Sequence, residues 1–346
     1  MTRVIGIDPG TKSFDFFGLD GEKVTLDLSI PTKDIASDPE SVIDLLKASN
    51  PELIIGPSGY GIPIKKISDV TRRDIFLMSL RRSDDNTSIL GMRRFIEMLK
   101  EHNLPVYVIP GVIHLPTVPA YRKVNRIDMG TPDKLCSCAL AVRDQAVSSG
   151  IDYDRTSFIL LEVGFAHTAA IAVDSGRVVD GIGGSSGGIG FLSMGAIDGE
   201  LAYLLDRFGK KFMISRGARF LSGGEIAPED LVMHDDARSA LIEGAVKNVL
   251  ALTAALTPEE VLMSGRLSRI PEIRAELMER LDTVAPVRSL KGFPSAKIAK
   301  ESAQGGAVMA DGLLHGRYAG IVATMRIKEA YGTVLDYVPP ISEGGI

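Results

Sequence analysis

The chain opens with short apolar blocks set apart by turns, and the same rhythm returns about halfway along. Near the start run Ile5-Gly-Ile-Asp8-Pro-Gly10-Thr11, an apolar stretch over 14–19, the turn Asp20-Gly21 and a further apolar stretch from Val24. Later run Leu160-Leu-Glu162-Val-Gly164-Phe165, an apolar stretch over 168–173, the turn Asp174-Ser-Gly176 and Val178-Val179. The matched pairs Asp8 and Glu162, Gly10 and Gly164, and Asp20 and Asp174 each stand 154 residues apart. Each copy predicts a strand, an acid-x-Gly turn, a second strand, a hairpin turn and a third strand. Two copies are too few for a solenoid, which needs about three stacked repeats. Two similar lobes with a cleft between them fit the pattern, and both acid-x-Gly turns can then face one ligand.

The rest of the chain supplies helices and further strands. Asp38 and Pro39 start a short amphipathic helix over 39–48. Residues 53–56 read as a buried strand ending in the loop 57–63, residues 89–101 as a helix and 105–109 as a strand. Pro132 stands at the first position of a helix over 131–148. After the second three-strand unit, over 156–184, a glycine-rich loop opens a helix near 194–205, and 209–224 is basic and irregular. Residues 229–256 read as mostly helical, and 261–263 as a strand stopped by Ser264-Gly265-Arg266. A helix over 271–281, a strand over 284–288 and closing helices over 297–314 and 318–331 complete the pattern. This alternation predicts an α/β architecture built twice. The expected division is a first lobe over 1–150, a second over 151–316, and a helix and tail over 317–346 packing back on the first.

Composition narrows the partners. A formal charge of −5 provides no basic footprint for nucleic acid. No apolar run reaches the roughly 18 residues a membrane span needs. Strand-like residues begin at Arg3, so no signal peptide is expected, and a cytoplasmic location follows. Cys136 and Cys138 stand two apart in a predicted helix, with no further thiol to complete a metal site, which points to plain helix packing. The 36 glycines exceed the usual share of about 7%. Their clusters at 181–190, 223–224 and 305–306 suit phosphate-facing loops and tight hairpins.

Asp8-x-Gly10-Thr11, Glu162-x-Gly164 with Thr168, and Leu262-Met-Ser-Gly265 follow in that order, each at the end of a predicted strand. Phosphates need close backbone donors, which glycine admits. Mg²⁺ takes oxygen ligands, usually one or two carboxylates plus water. In order and spacing the chain resembles the actin-like ATPase superfamily, which includes sugar kinases, acetate and butyrate kinases, actin and the heat-shock chaperones. The resemblance implies duplicated ribonuclease-H-like domains, with mixed sheets flanked by helices around a cleft, and ATP and Mg²⁺ as cofactors. It implies Asp8 orienting a Mg²⁺-bound water with Glu162 as the second acid at the metal, and Gly10, Thr11 and Lys12 approaching the phosphates. Gly164, Phe165 and Ala166 would present N–H groups from the other side with Thr168 nearby, and Gly265 and Arg266 would line the adenosine pocket.

Within the superfamily the chain looks like the acetate and butyrate kinase branch. The run from Val163 through Gly164-Phe-Ala-His-Thr168 to Gly176-Arg177-Val-Val-Asp180 is similar to that branch's glycine-rich phosphate segment and hairpin. Ala196-Ile-Asp198-Gly199-Glu200, and Pro105-Val-Tyr-Val-Ile-Pro110 followed by residues 122–141, resemble butyrate kinase segments and a family labelled predicted butyrate kinase. Three positions depart from the branch. Asp8 stands where it usually has Asn, Glu162 where it has His, and His114 where butyrate kinases have an acid.

The segment 122–134 lies between the repeats and concentrates charge before a helix N-terminus, which favours anions. Arg126 is the candidate clamp for an acceptor carboxylate or the transferring phosphate. Asp128 is the candidate base or ligand to Mg²⁺-bound water, and Asp133 its rival, since an acid in a first helical turn also suits the dipole. Ser185 and Ser186 in the densest glycine run, and His114, are candidate substrate contacts. The expected activity is ATP- and Mg²⁺-dependent phosphoryl transfer to a small molecule, a short-chain carboxylate by resemblance. The alternative is a nucleotide-binding regulatory or assembly protein of the same fold. A metal-dependent carbamoyl-transfer reading is weak, because the five histidines are scattered. By resemblance, the chain would form a homodimer.

Overall fold

The computed structural model describes residues 2–82 and 90–340. It contains two mixed sheets built on one plan. In the first, β1 (Arg3–Pro9), β2 (Ser13–Asp20) and β3 (Lys23–Pro31) form an antiparallel meander. Beyond β1 lie β4 (Leu53–Ile55) and β6 (Val106–Val108), parallel to it, and β5 (Lys65–Lys66) closes the edge. In the second, β7 (Phe158–Val163), β8 (Thr168–Asp174) and β9 (Arg177–Ile182) repeat the meander. There β10 (Glu260–Ser264) and β11 (Val287–Ser289) add in parallel beyond β7. The repeat seen in the sequence is therefore a repeat of topology. The central strands β1 and β7, each between an antiparallel and a parallel neighbour, read as near-continuous apolar runs because helices cover both faces of their sheets.

Between the sheets lies the helix Pro132–Ser149, begun by Pro132 at its first position and ended by Gly150 in the left-handed conformation (φ 65°). Residues 135–142 are buried around its whole circumference, Cys136 and Cys138 among them, both as free thiols. The helix Glu301–Leu313 packs on it and on β1. The contact is close enough that a Cβ on Gly305 would fall 1.8 Å from the Cys136 carbonyl oxygen. Gly305 and Gly306 are thus packing glycines inside a buried helix, not the loop glycines their clustering suggests. The return to the first lobe also begins well before residue 317: Leu290, Phe293 and the 301–313 helix all sit in the first core.

Several boundaries move. The helix expected over 318–331 is Ala319–Thr324 followed by a 3₁₀ turn, because Arg326 takes a left-handed conformation (φ 55°) between them. The helix expected from 194 begins at Gly199, capped by the Asp198 carboxylate. The one expected over 229–256 is a 3₁₀ turn and then Asp235–Leu252. The closing helix starts at Glu301 rather than 297, and the last strand is shifted to Val287–Ser289. The helix expected over 89–101 is present as Leu90–Glu101; Ile89 lies outside the described residues, as does 341–346 of the tail. A helix over Arg72–Ser79 was legible in the Thr71-x-x-Asp74 capping box but not expected. Among the described residues no helix is long and apolar enough to cross a membrane.

Candidate active site

The ends of the parallel strands of both sheets open on one cleft of about 860 Å³. This is where open α/β sheets bind ligands. Asp8, Gly10, Thr11, Lys12, Asp128, Asp133, Glu162, Gly164, Phe165, Ala166, Ser185, Gly265 and Arg266 all line it.

On the first-lobe wall, β1 delivers Asp8, which is buried. Burial pushes its carboxyl up to about 6, against the lowering effect of Lys300, whose Nζ lies 3.8 Å away. Lys300 is held by Asp15 at 2.9 Å and by Ser13 Oγ at 3.3 Å. The turn after β1 closes through the Gly10 N–H donating to the Asp8 carbonyl.

On the second-lobe wall, the Gly164 N–H donates to the His167 carbonyl at 2.9 Å, which curls the turn after β7. Gly265, at φ +91°, packs on the Val163 carbonyl, where a Cβ would come within 2.5 Å. The turns after β7 and β10 thereby lie side by side. Lys12 reaches across the cleft, its Nζ 4.2 Å from the centre of the Phe165 ring.

Lys134 joins the walls at the floor. Its Nζ lies 2.5 Å from both Asp133 Oδ2 and Glu162 Oε1. Ser137 Oγ donates to Glu162 Oε2 and Thr131 Oγ1 to Asp133. Burial alone would raise Asp133, but Lys134 and Thr131 hold it below its ordinary value. Burial likewise disfavours charged Lys134, and its two carboxylate partners hold it charged well above its ordinary pKa.

This arrangement revises several expected roles. Glu162 has both oxygens committed to Lys134 and Ser137, so it is a holder of that lysine rather than a metal ligand. Asp128 accepts from the Gly130 N–H and from the N–H and Oγ of Ser185, and so anchors the glycine loop instead of standing free as a base. Ser186 Oγ donates to the Asp128 carbonyl and, like Ser185, ties that loop rather than reaching out. Arg126 lies outside the cleft lining and donates to the Ser186 carbonyl. Thr168 is fully buried at the start of β8, away from the cleft. His114 is buried in a 3₁₀ turn, hydrogen-bonded to Gly111, and its carbonyl accepts from the Tyr331 N–H of the C-terminal segment. Asp133 is at the cleft, but as an ion-pair partner.

Some site residues were not singled out by the sequence. Lys300 and Lys134 reach the cleft by tertiary packing, and His167 was overlooked among scattered histidines. The basic segment after Gly209 is largely exposed, as with Lys211 and Arg216, yet it is tied to the other lobe: Lys210 Nζ donates to the Ser79 carbonyl at 2.6 Å, and Arg82 to the Phe208 carbonyl.

The residues fit the groups the fold implies. Among the described residues no cluster of three or more His, Cys, Asp or Glu could cage a metal. Asp8, a carboxylate whose charge burial opposes, suits Mg²⁺ held by one carboxylate, phosphate oxygens and water. The glycine turns on either side suit phosphate.

A family model described as "Protein of unknown function (DUF1464)" matches residues 6–339. The chain belongs to the DUF1464 family. No curated protein matches this DUF1464 member. Its fold is that of several solved kinases. An acetate kinase from Porphyromonas gingivalis aligns with TM-score 0.60 at 14% identity, covering 91% of this chain and 100% of that one. A propionate kinase from Francisella tularensis aligns at 0.59 and 12%, covering 89% and 98%. An acetate kinase from Entamoeba histolytica aligns at 0.59 and 13%, covering 82% and 87%. The two mixed sheets flanked by helices are thus the duplicated actin-like ATPase fold.

Proposed function

We infer that this DUF1464 protein is an ATP- and Mg²⁺-dependent phosphotransferase acting on a small-molecule acceptor. The observation that carries the reading is the meeting of two glycine turns from duplicated lobes across one cleft, with Asp8 buried beside them. That the matched structures are named as kinases agrees with it. Phosphoryl transfer asks a protein mainly for positioning and for charge complementary to the moving group. Gly10 and Gly164 let the backbone approach phosphates, Lys12 and Lys300 supply charge on the first-lobe side, and Gly265 with Arg266 flanks the adenosine. Asp8 would hold Mg²⁺, which would supply positive charge against the phosphates.

A short-chain carboxylate acceptor, giving an acyl phosphate, is what the resemblance implies. Its transfer needs no base, but the arginine expected to clamp it, Arg126, is outside the cleft lining. A cytoplasmic homodimer remains the setting suggested by the resemblance, and light scattering tests the dimer.

Titration calorimetry with Mg-ATP, repeated without Mg²⁺, tests the reading. Mg²⁺-dependent binding tighter than about 1 mM (about −4 kcal/mol) supports it. ADP release that rises with added acceptor then separates a kinase from a nucleotide-driven regulatory protein. A blank titration, confirmed by competition, would end the phosphotransferase reading.

A further inference from the structure

His167 stands three residues past Gly164 on the second-lobe turn, and none of the roles above uses it. Its ring lies against the backbone of Gly184, where a Cβ would fall 2.5–2.8 Å from the ring and Cβ atoms of His167. The neighbouring Gly183 is seated the same way on Asp128, its Cβ position 1.8 Å from Oδ1. The double glycine therefore holds an imidazole and a carboxylate on one wall of the cleft. Of the charged groups around it, Asp128 and Asp133 favour the protonated ring and Lys134 disfavours it.

Among the described residues, no group hydrogen-bonds to either ring nitrogen. The residue is half-buried and lines the cleft, so an imidazole packed on Gly184 and free of protein partners is open to whatever the cleft binds. Burial lowers its pKa from the ordinary value, leaving it neutral at neutral pH. A neutral imidazole offers one donor and one acceptor nitrogen.

We propose that the acceptor presents a hydroxyl group at this wall and that His167 takes its proton, an assignment that rests on the phosphotransferase reading. In the step, the hydroxyl oxygen forms a bond to the γ-phosphorus while the bond from that phosphorus to the β–γ bridging oxygen breaks. The bridging oxygen leaves with the electron pair as part of ADP, and the hydroxyl proton passes to the acceptor nitrogen of His167. Asp128 and Asp133 face the resulting imidazolium and stabilise it, and Lys134 opposes it. Asp128 orients the wall rather than taking the proton, because its own oxygens are committed to Gly130 and Ser185. A carboxylate acceptor, with no proton to give, would leave His167 idle.

Water is the simplest hydroxyl, so slow hydrolysis of Mg-ATP by the full chain is the first probe. Glycerol and glucose serve as larger hydroxyl acceptors and butyrate as the carboxylate. In His167→Gln and His167→Ala, ADP release with the hydroxyl probes is expected to fall about 10²- to 10⁴-fold, the usual worth of a positioned base. The decline of activity as Asp8 takes up its proton near pH 6 should remain in the variants while the part due to His167 is lost, with Mg-ATP affinity at pH 8 held within about twofold and an unchanged melting temperature as the folding control. Wild-type rates and pH profile in both variants would overturn the proposal. So would butyrate-dependent ADP release indifferent to His167, or Mg-ATP binding with no ADP release from any probe. Absence of Mg-ATP binding would instead sink the phosphotransferase reading beneath it.

Discussion

At the scale of single residues, the cleft is a place where charge costs stability and is kept for use. Asp8 titrates at about 6 against an ordinary 3.8. Its ionised form therefore opposes folding. The contribution of the protonated group is complete below about pH 4 and is lost as pH rises through about 6. At about 1.4 kcal/mol per unit, the linkage is on the order of 3 kcal/mol. Asp8→Asn should accordingly raise the melting temperature of the metal-free protein at pH 8 by a few degrees, while removing the Mg²⁺ dependence of ATP binding. A drop in melting temperature would contradict this account of Asp8. Lys134 shows the reverse case, a buried cation matched by Asp133 and Glu162. Lys134→Met strands both carboxylates and should cost about 3–5 kcal/mol, read as a lower urea midpoint. A loss under about 1 kcal/mol would mean the floor of the cleft reorganises around the missing charge.

At the scale of elements, close approach is set by glycine where the sequence alone suggested loops. Gly305→Ala puts a methyl group 1.8 Å from a backbone carbonyl of the facing helix. The expected cost is at or above the ~3 kcal/mol top of the usual overpacking range, and a silent substitution in a thermal melt would refute the packing. The segment after Gly209 behaves differently, tied across the cleft by a few polar contacts rather than by a core. Lys210→Ala should speed amide hydrogen exchange over 208–214 while the main unfolding transition stays in place. Unchanged exchange there would show that the Ser79 contact does not hold the segment. Both features explain why the sequence was silent about them. A glycine pair in a helix and one in a loop read alike until the neighbour is known, and a basic stretch does not name the carbonyl it will reach.

At the scale of the whole molecule, the two-lobed plan was legible because duplication leaves matched turns at fixed spacing. Asp8, Gly10, Glu162 and Gly164 mark where the two sheets open. What spacing could not show is which charges would share the cleft: Lys134 turns Glu162 from a metal ligand into an ion-pair partner. Nor could it show that the return to the first core begins near 290 rather than 317, since that depends on packing about 300 residues from the partner strand. The two lobes are thus joined by the 132–149 helix, by this late return and by the 208–214 crossing. Mg-ATP bound between them at 100 times its dissociation constant should stabilise the chain by about 2.7 kcal/mol. A melting temperature that does not move with nucleotide would mean it binds elsewhere or not at all.

The Lys12 ammonium over the Phe165 ring is the one side-chain contact described here that spans the phosphate turns themselves, and the chain has no tryptophan. Phe165→Trp would therefore plant a solitary indole where the two lobes meet across the cleft, against a dark background. Since tryptophan is the ring that attracts a cation best, the contact should survive the exchange. Any change in the separation of the two lobes would then become an optical signal, and titrating nucleotide against that emission would show whether the cleft responds to it.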